Sequence, residues 1–346
     1  MLIYWIMYLL PAIFAVLIVQ KNKLDLILLA YVGLILSLII GFRQNVGADW
    51  SSYITHYNEI KDISFLEIFD RSGDYGHLIC NWLMAKLNFG IYGVNFIYAI
   101  IFITALIKFC KVEQNPWIAI SVATPYLVTV VAMSLSKQSV ALGFVLLGLH
   151  YLRRKKILSY VLSIIFGALF HNSAIIMLFF LILNKDIRIQ YRYFLIILSL
   201  FICFTLISQN FNAMYETYFS RGLQSEGIYP RLILNLIPVF FLFIYRRKWK
   251  KDYDDYHIWY WFSFVSIVSL FFIPISSTLI DRILIYFIPL QLVVYSRLPF
   301  LLKYIIQPIY TKLAIITFYG AIQFIWLNFS NHSGAWLPYK NILFYD

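Results

Sequence analysis

Three cationic side chains that lie far apart in the sequence have the chemistry to hold a diphosphate. Arg43 follows the second apolar stretch, Lys137 opens the fifth, and Arg282 precedes the eleventh. A guanidinium group matches phosphate with its planar fork, and a helix that begins at Lys137 adds unpaired N–H groups. Each residue alone is equally compatible with a cation that anchors a helix end at the lipid surface. The pattern predicts a phosphate site only if the fold brings the three together.

Two further side chains are candidates for a general base. Asp49 follows Arg43 after a glycine, Gly47, that permits a tight turn, and His171 lies between two apolar stretches. An imidazole needs less pKa adjustment than a carboxylate to act near neutral pH, which favours His171 slightly over Asp49. A lone histidine in apolar surroundings is more often structural. Asp281 precedes Arg282, which it either orients or neutralises.

The composition restricts the protein class that must position these groups. Hydrophobic residues make up 62% of the 346-residue chain and charged residues 13%, which leaves too little polar surface for a soluble globule. The same apolar content excludes intrinsic disorder. The 28 Lys and Arg against 16 Asp and Glu give a net charge of +12. In a membrane protein this excess indicates cytoplasmic loops rather than nucleic-acid binding.

Apolar stretches predict an all-α, polytopic integral membrane protein with about twelve transmembrane helices in a single domain, 1–346. The predicted spans are Leu2–Val19, Leu24–Phe42, Ile91–Phe109, Trp117–Met133, Ser139–Leu152, Ile157–Phe170, Ser173–Leu183, Phe194–Ile207, Leu232–Tyr245, Ile258–Ile273, Ile283–Tyr295 and Leu313–Phe329.

The basic connectors between the spans assign the two faces of the membrane. Because Lys and Arg accumulate on the cytoplasmic side, both termini are expected outside, together with most of the acidic residues. The stretch Ile157–Leu183 lies between two basic connectors that must then share one side. One straight helix cannot satisfy that parity, so we expect a short helix pair or re-entrant hairpin that turns near His171. A single long tilted helix is the competing interpretation.

Two polar segments are expected on the outer face. The first, 43–90, includes an amphipathic stretch around His77–Leu87 that is too short and polar to span the membrane, and it predicts an interfacial helix. The second, 208–231, is aromatic and mixed in charge, which suits a loop that covers a site.

Other motifs give little support to competing chemistry. The sequence contains no P-loop, dinucleotide-binding glycine pattern, zinc-protease motif or nucleophile elbow. Asp252-Tyr253-Asp254 matches the D-x-D pattern of metal-dependent sugar transferases, but it directly follows a basic run and is better interpreted as charge balance. The three cysteines show no metal-binding spacing. We therefore expect no nucleotide or metal cofactor.

Several short motifs, taken in order, resemble the EpsG family of polysaccharide polymerases, which are relatives of the Wzy O-antigen polymerases. They are Phe42-Arg43 leading to Val46-Gly47-Ala48-Asp49-Trp50 and Tyr53; Lys137-Gln138-Ser139-Val140-Ala141; Phe170-His171-Asn172-Ser173-Ala174; Asp281-Arg282 with Tyr286; and Trp336-Leu337-Pro338-Tyr339. Two positions depart from the family pattern, which usually has Arg where this chain has Lys137 and Tyr where it has Trp50. Lysine keeps the charge but loses the bidentate geometry of arginine.

The resemblance implies a glycosyltransferase that joins lipid-linked oligosaccharide repeat units at the outer face of the bacterial inner membrane. The growing chain on undecaprenyl pyrophosphate is the expected donor, and a sugar hydroxyl of another lipid-linked unit is the acceptor. Expected partners are the lipid bilayer and a chain-length regulator protein, with no nucleic acid. The matching residues give the expected site: His171, Asp49, Arg43 and Arg282 as catalytic groups, with Lys137, Gln138, Asp281, Tyr53 and Tyr339 also binding substrate.

Three other functions share some of these features. A transporter of lipid-linked oligosaccharides also needs many spans and outer cations, but transporters commonly contain internal repeats, and none is evident here. An O-antigen ligase would use the same donor with a different acceptor. A membrane acyltransferase would depend on His171 and has little need of three cations.

Overall fold

A computed structural model describes residues 1–18, 23–181, 197–198, 201, 224–225 and 227–344. Within these residues the chain is all-helical, with one extended bridge between Arg43 and Asn341. The all-α prediction is therefore confirmed. The predicted span Phe194–Ile207 and most of the predicted loop 208–231 lie outside the described residues.

The helices are numbered in order along the described residues. They are α1 (Leu2–Leu17), α2 (Lys23–Gly41), α3 (Trp50–Ile60), α4 (Tyr75–Lys86), α5 (Gly90–Cys110), α6 (Pro116–Ala123), α7 (Ser136–Leu152), α8 (Ile157–Phe170), α9 (Ile228–Ile244), α10 (Arg246–Asp252), α11 (Tyr256–Phe272), α12 (Ser277–Leu284), α13 (Pro289–Leu301) and α14 (Pro308–Phe329). A π-helix covers Thr124–Val131, and 3₁₀-helices cover Leu66–Asp70, Asn172–Leu181, Ile285–Phe287 and Ser333–Ala335.

Length and composition identify the helices that can cross a membrane. Among the described residues, α2, α5 and α14 each suffice alone. Two bent pairs suffice only together: α9 with α10, at 78°, and Ser277–Phe287 with α13, at 42°. Shorter apolar helices, such as α1 and α11, accompany them. These features indicate a membrane-integral protein, while the number of about twelve spans stays a prediction.

The hairpin predicted near His171 is present. Helix α8 ends at Phe170, His171 has an extended backbone, and a 3₁₀-helix begins at Asn172. The Tyr160 hydroxyl donates a hydrogen bond to the carbonyl of Met177. In one continuous helix these two residues would lie about 26 Å apart. The chain therefore folds back on itself, and the alternative of a single long tilted helix is wrong.

Glycines allow the helices behind the site to approach closely. A Cβ at Gly143 of α7 would lie 3.1 Å from the Cα of Phe102 on α5. A Cβ at Gly41, which ends α2, would lie only 2.7 Å from the Cα of Phe96. Small residues at helix contacts are typical of membrane bundles, where close packing stabilises helix association. This packing fixes the end of α2, from which the first site loop departs.

A buried charge cluster, defined as Glu113, Arg153, Asp255 and Arg297, joins the turn between α5 and α6 to the end of α7, the start of α11 and helix α13. Glu113 Oε1 and Oε2 accept hydrogen bonds from Arg153 Nη1 at 2.6 Å and Arg297 Nε at 3.0 Å. Both arginines also contact Asp255, Arg153 through Nε at 2.8 Å and Arg297 through a fork with both bonds at 2.7 Å. The two acids thereby balance the two cations.

The charge cluster lies at the opposite end of the bundle from the start of α7. Arg153 follows the last residue of α7, Leu152, and Ser136 begins that helix. Seventeen helical residues separate the two ends by about 25 Å. One of the two balancing acids, Asp255, lies one residue beyond the D-x-D motif that the sequence indicated for charge balance.

Candidate functional site

Four segments meet at the end of the bundle where α7 begins. They are the loop after α2, the first turn of α7, the turn at His171 and α12. Arg43 Nη2 donates to Ser136 Oγ at 2.8 Å, and Gln138 Nε2 donates to the carbonyl of Arg282 at 2.6 Å. Arg43 and Arg282 therefore emerge at the same end of the bundle, as a shared phosphate site requires.

Arg43 is buried and makes hydrogen bonds within the protein. Its Nε donates to the carbonyls of Val46 and Met133 at 3.2 and 3.0 Å, and Nη1 donates to the carbonyl of Ile40 at 2.6 Å. Besides Ser136, Nη2 contacts Asn95 Oδ1 at 3.3 Å. Burial lowers the pKa of Arg43 to about 10, so it stays charged near neutral pH. This geometry favours an anchoring role, and phosphate contact by Arg43 stays a prediction.

Gly47 makes the tight turn that the sequence predicts. Its φ of 102° lies in the left-handed region, and a Cβ there would come within 2.1 Å of the carbonyl oxygen of Met133. Only glycine fits such a position without displacement. The turn brings Asp49 next to Ser134, just before α7. There the backbone N–H of Asp49 donates to Ser134 Oγ at 3.3 Å.

Lys137 is half-buried and faces the outer segment. Its Nζ forms an ion pair with Asp74 Oδ2 at 2.8 Å, and its backbone N–H donates to the Tyr53 hydroxyl at 3.2 Å. Asp74 precedes α4 and Tyr53 lies on α3. These two helices of the segment 43–90 therefore build one side of the site. Asp74 was not among the predicted site residues, because nothing in its own neighbourhood of the sequence distinguishes it from the other outer acids.

Asp49 carries the carboxylate that has the fewest partners at the site. It is half-buried, and its side chain makes no hydrogen bond or ion pair with any other described residue. Burial raises the pKa of Asp49, while the nearby charges of Arg282 and Lys137 lower it, and burial has the larger effect. A carboxylate in this environment is a candidate proton acceptor.

His171 is connected to Arg282 by a chain of hydrogen bonds. His171 Nδ1 lies 2.6 Å from Ser173 Oγ, which lies 3.1 Å from the hydroxyl of the buried Tyr286. Gln138 lies within hydrogen-bonding reach of that hydroxyl, and its Oε1 accepts from Arg282 Nη1 at 3.2 Å. The sequence singled out Ser173 and Tyr286 only as motif neighbours. Their roles depend on contacts between segments that are distant in the chain.

The comparison with protein families now identifies the chain. The model of the EpsG family matches residues 26–341, which include all of these segments. The chain belongs to the EpsG family. Among curated proteins and among solved structures, no match to it was found.

In this EpsG-family chain, Asp281 does not orient Arg282. Its carboxylate accepts two hydrogen bonds from Arg231, from Nε at 2.7 Å and Nη2 at 2.6 Å, and a third from Ser225 Oγ at 2.9 Å. The prediction that Asp281 orients or neutralises Arg282 is therefore wrong. Arg231 lies on α9, with its guanidinium 5.5 Å from the ring centre of Tyr126 in the π-helix. No sequence signal identified Arg231 as the partner.

Tyr339 belongs to a C-terminal strap, defined as residues 335–342, that lies along the exit of α2. The Tyr339 hydroxyl donates to the carbonyl of Ile39 at 2.8 Å, and Gln44 N–H donates to the carbonyl of Lys340 at 2.9 Å. Trp336 Nε1 donates to the carbonyl of Thr129 at 2.8 Å. These contacts indicate that Tyr339 holds the site loop of the EpsG-family chain in place, and substrate binding by Tyr339 stays a prediction.

The site's acids and histidines do not form a metal-binding group. Within the described ranges, no three side chains of His, Cys, Asp and Glu come together as metal ligands would. The groups available at the site are two cations, Lys137 and Arg282, a carboxylate, Asp49, and an imidazole, His171.

Proposed function

We propose that this chain is a polysaccharide polymerase that transfers a growing glycan from undecaprenyl diphosphate to a second lipid-linked repeat unit. Its family supports this proposal, because EpsG-family proteins are Wzy-like polymerases. The reaction would take place at the outer face of the bacterial inner membrane, which is the side that the loop charges assign to Lys137 and Arg282. A chain-length regulator is the expected protein partner.

One observation carries the proposal: two cations, an imidazole, and a carboxylate whose side chain has no hydrogen-bond partner among the described residues come together from segments that are distant in the sequence. Lys137 and Arg282 both lie close enough to Asp49 and His171 to influence their pKa values. The four residues come from the loop after α2, the start of α7, the hairpin turn and α12. Such convergence at half-buried positions is typical of a catalytic site.

Glycosyl transfer from a lipid diphosphate uses each kind of group. The acceptor hydroxyl oxygen bonds to the anomeric carbon of the donor glycan, the bond from that carbon to the diphosphate oxygen breaks, and the hydroxyl proton passes to a base. Negative charge then develops on the departing diphosphate, which positioned cations stabilise. No nucleotide is consumed, because the donor already contains the diphosphate leaving group.

Arg282 is the cation best placed to contact the diphosphate. Among its donors, Nη1 contacts Gln138, while Nε and Nη2 make no hydrogen bond with any other described residue. Two free donors on one guanidinium are suited to a bidentate phosphate contact. Lys137 retains two further N–H donors beside the one that faces Asp74. Arg43 would act indirectly, by holding the loop that carries Asp49.

The test is product formation by the purified protein in liposomes with a defined undecaprenyl-diphosphate repeat unit, without nucleotide. We expect a ladder of glycans of increasing length. Arg282→Met is expected to lower the rate by about 100-fold or more, the magnitude lost with one oxyanion-stabilising donor. Lys61→Gln, which removes an exposed cation from the outer segment, serves as the matched control and should leave the ladder unchanged.

Other outcomes separate the alternatives. Transfer of the glycan only to a lipid A core acceptor, with no ladder, would assign the protein as a ligase. Movement of unaltered lipid-linked unit across the vesicle membrane would assign it as a transporter. Either result would contradict the polymerase proposal.

A further inference from the structure

The hydrogen-bond chain from Arg282 to His171 favours one of the two neutral tautomers of His171. The chain runs through Gln138, Tyr286 and Ser173. Gln138 and Tyr286 are buried, at 1% and 0% exposure, so water does not supply missing partners for them. A buried donor that lacks an acceptor is costly, and each hydrogen in the chain therefore needs one.

The direction of the chain follows from its cationic end. A guanidinium has only donors, so Arg282 Nη1 must face the oxygen of the Gln138 amide. One amide N–H of Gln138 donates to the carbonyl of Arg282 at 2.6 Å, and the other then donates to the Tyr286 oxygen. In this direction the single proton of Tyr286 is assigned to Ser173 Oγ, 3.1 Å away, and the single proton of Ser173 to His171 Nδ1, 2.6 Å away. In the reverse direction either the Tyr286 proton or the second Gln138 N–H would be buried without an acceptor among the described residues.

We infer that neutral His171 meets the substrate with its Nε2–H group as a hydrogen-bond donor, and that Asp49 is the general base. This assignment rests on the proposed polymerase function and reverses the slight sequence-based preference for His171 as the base. Ser173 and Tyr286 are positioning residues in this arrangement, because they act on the substrate only through His171. The N–H of His171 would donate to an oxygen of the departing diphosphate.

The charges that face His171 support the same assignment. They are Asp74, which precedes α4, Lys137 on α7 and Arg282 on α12. Burial is the main reason that the pKa of His171 is lowered to about 4; the charge of Asp74 raises it, and the charges of Lys137 and Arg282 lower it further. His171 lies at the hairpin turn, outside both helices. An imidazole that accepted the acceptor proton would become a third positive charge beside Lys137 and Arg282, which disfavours it as the base.

Asp49 faces the opposite situation. Its carboxylate becomes neutral when it accepts a proton, and its pKa is raised by burial despite the cations. In this arrangement a neutral histidine donates a hydrogen bond to the leaving group and a carboxylate accepts the proton, so each group acts in its favoured charge state. During transfer the acceptor hydroxyl would lose its proton to Asp49, while the diphosphate would leave as an anion held by Arg282, Lys137 and His171.

The tautomer can be measured without substrate. Protein labelled with ¹⁵N-histidine in nanodiscs at pH 7 is examined by long-range ¹H–¹⁵N correlation, and the His171 signals are identified by their loss in His171→Gln. We expect a neutral ring protonated at Nε2. A ring protonated at Nδ1, or an imidazolium, would overturn the assignment. Tyr286→Phe should produce a mixture of the two neutral tautomers.

Tyr160→Phe is the matched control for the Tyr286 variant. It removes another buried tyrosine hydroxyl, which donates a hydrogen bond to the carbonyl of Met177 and is not part of the hydrogen-bond chain to His171. We expect it to leave the His171 tautomer unchanged. A mixture of tautomers in Tyr160→Phe as well would mean that general loosening, rather than the hydrogen-bond chain, sets the tautomer.

Kinetics in the ladder assay give the second readout. His171→Ala should lower kcat by about 100- to 1000-fold. His171→Gln keeps an N–H donor, so its kcat should be at least about tenfold higher than that of His171→Ala. His171→Gln should also retain the acidic fall in rate that Asp49 produces, whereas Asp49→Asn should lower kcat by about 100-fold or more and remove that fall. A His171→Gln variant as inactive as His171→Ala, with full activity in Asp49→Asn, would identify His171 as the base. If the unmodified protein makes no ladder at all, the proposed function fails, while the tautomer measurement still tests the hydrogen-bond chain.

Discussion

Glu113→Gln is expected to destabilise the protein because it leaves the buried charge cluster with one positive charge too many. The Glu113 side chain is 0% exposed, and its carboxylate accepts from Arg153 at 2.6 Å and Arg297 at 3.0 Å. Glutamine keeps the shape, but it has no charge and brings its own N–H donors towards two guanidinium groups. Within the cluster, Asp255 would then be the one remaining acid facing the two arginines.

The magnitude follows from the partners that remain. Removing one member of a buried ion pair typically costs about 3–5 kcal/mol. Arg297 keeps its bidentate contact with Asp255, and the Arg153 side chain, at 13% exposure, gains some solvation from water. The lower end of the range therefore applies, about 3 kcal/mol, which makes the unfolded fraction roughly 100-fold larger.

The assay is reversible denaturant unfolding in detergent micelles, followed by tryptophan fluorescence. Trp249 and Trp259 lie beside the charge cluster, 5.1 Å from the guanidinium of Arg297 and 5.8 Å from that of Arg153. Local opening is followed in parallel by thiol labelling of buried Cys110, whose carbonyl accepts the backbone N–H of Glu113 at 2.9 Å. Buried Cys80, near the site end, is the internal reference, and Cys203→Ser is made in every variant.

Two variants make the result decisive. Glu113→Gln combined with Arg153→Met restores one acid against one cation and should recover more than half of the lost stability. Lys108→Met removes a neighbouring cation that contacts Tyr151 at 3.0 Å, and it should cost less than about 1 kcal/mol. If Glu113→Gln stays within about 0.5 kcal/mol of the parent, or if the double variant is as unstable as the single one, buried charge balance does not stabilise this end of the bundle.

Three further predictions concern the site. Lys137→Met removes a positive charge that lowers the pKa of Asp49, so the pKa of Asp49 should rise and the polymerisation rate should begin to fall at a higher pH. An unchanged pH profile of kcat would contradict this electrostatic contact. Arg43→Lys should lower stability by about 2–3 kcal/mol in thermal unfolding, because several buried carbonyls lose their donors, whereas a change in KM alone would show that Arg43 contacts substrate instead. Gly47→Ala forces a Cβ towards the Met133 carbonyl and should lower both stability, by about 1–3 kcal/mol, and kcat; wild-type unfolding and activity would disprove the requirement for glycine.

Part of the site could be predicted from the sequence, because it depends on loop charge and on the conformational preferences of neighbouring residues. The hairpin at His171 was predictable since two basic connectors cannot lie on one side of a membrane with a single crossing between them. The turn at Gly47 was predictable from local chemistry, and so was a helix start near Lys137, which the structure places at Ser136. Because these rules assign segments to one face, they also placed Arg43 and Arg282 at the same end.

The partners of individual side chains were not accessible in this way. Asp281 and Arg282 are neighbours in the sequence, but consecutive residues of an α-helix point about 100° apart. Asp281 therefore contacts Arg231 on α9, while Arg282 contacts Gln138 on α7. The sequence suggested a pair between them because adjacency was the only relation that it offered.

The sequence by itself determined that the chain is an apolar helical bundle, which ends of its helices carry charge, and which residues are available for chemistry at one face. Hydropathy and loop charge are sums over many residues, so they can be calculated from the sequence alone. Only the tertiary structure decided that Arg43 is buried among carbonyls, that Asp74 and Arg231 are the partners of Lys137 and Asp281, and that Ser173 and Tyr286 connect His171 to Arg282. Hydrogen bonds and ion pairs act over about 3 Å, and helix packing alone sets which atoms come that close.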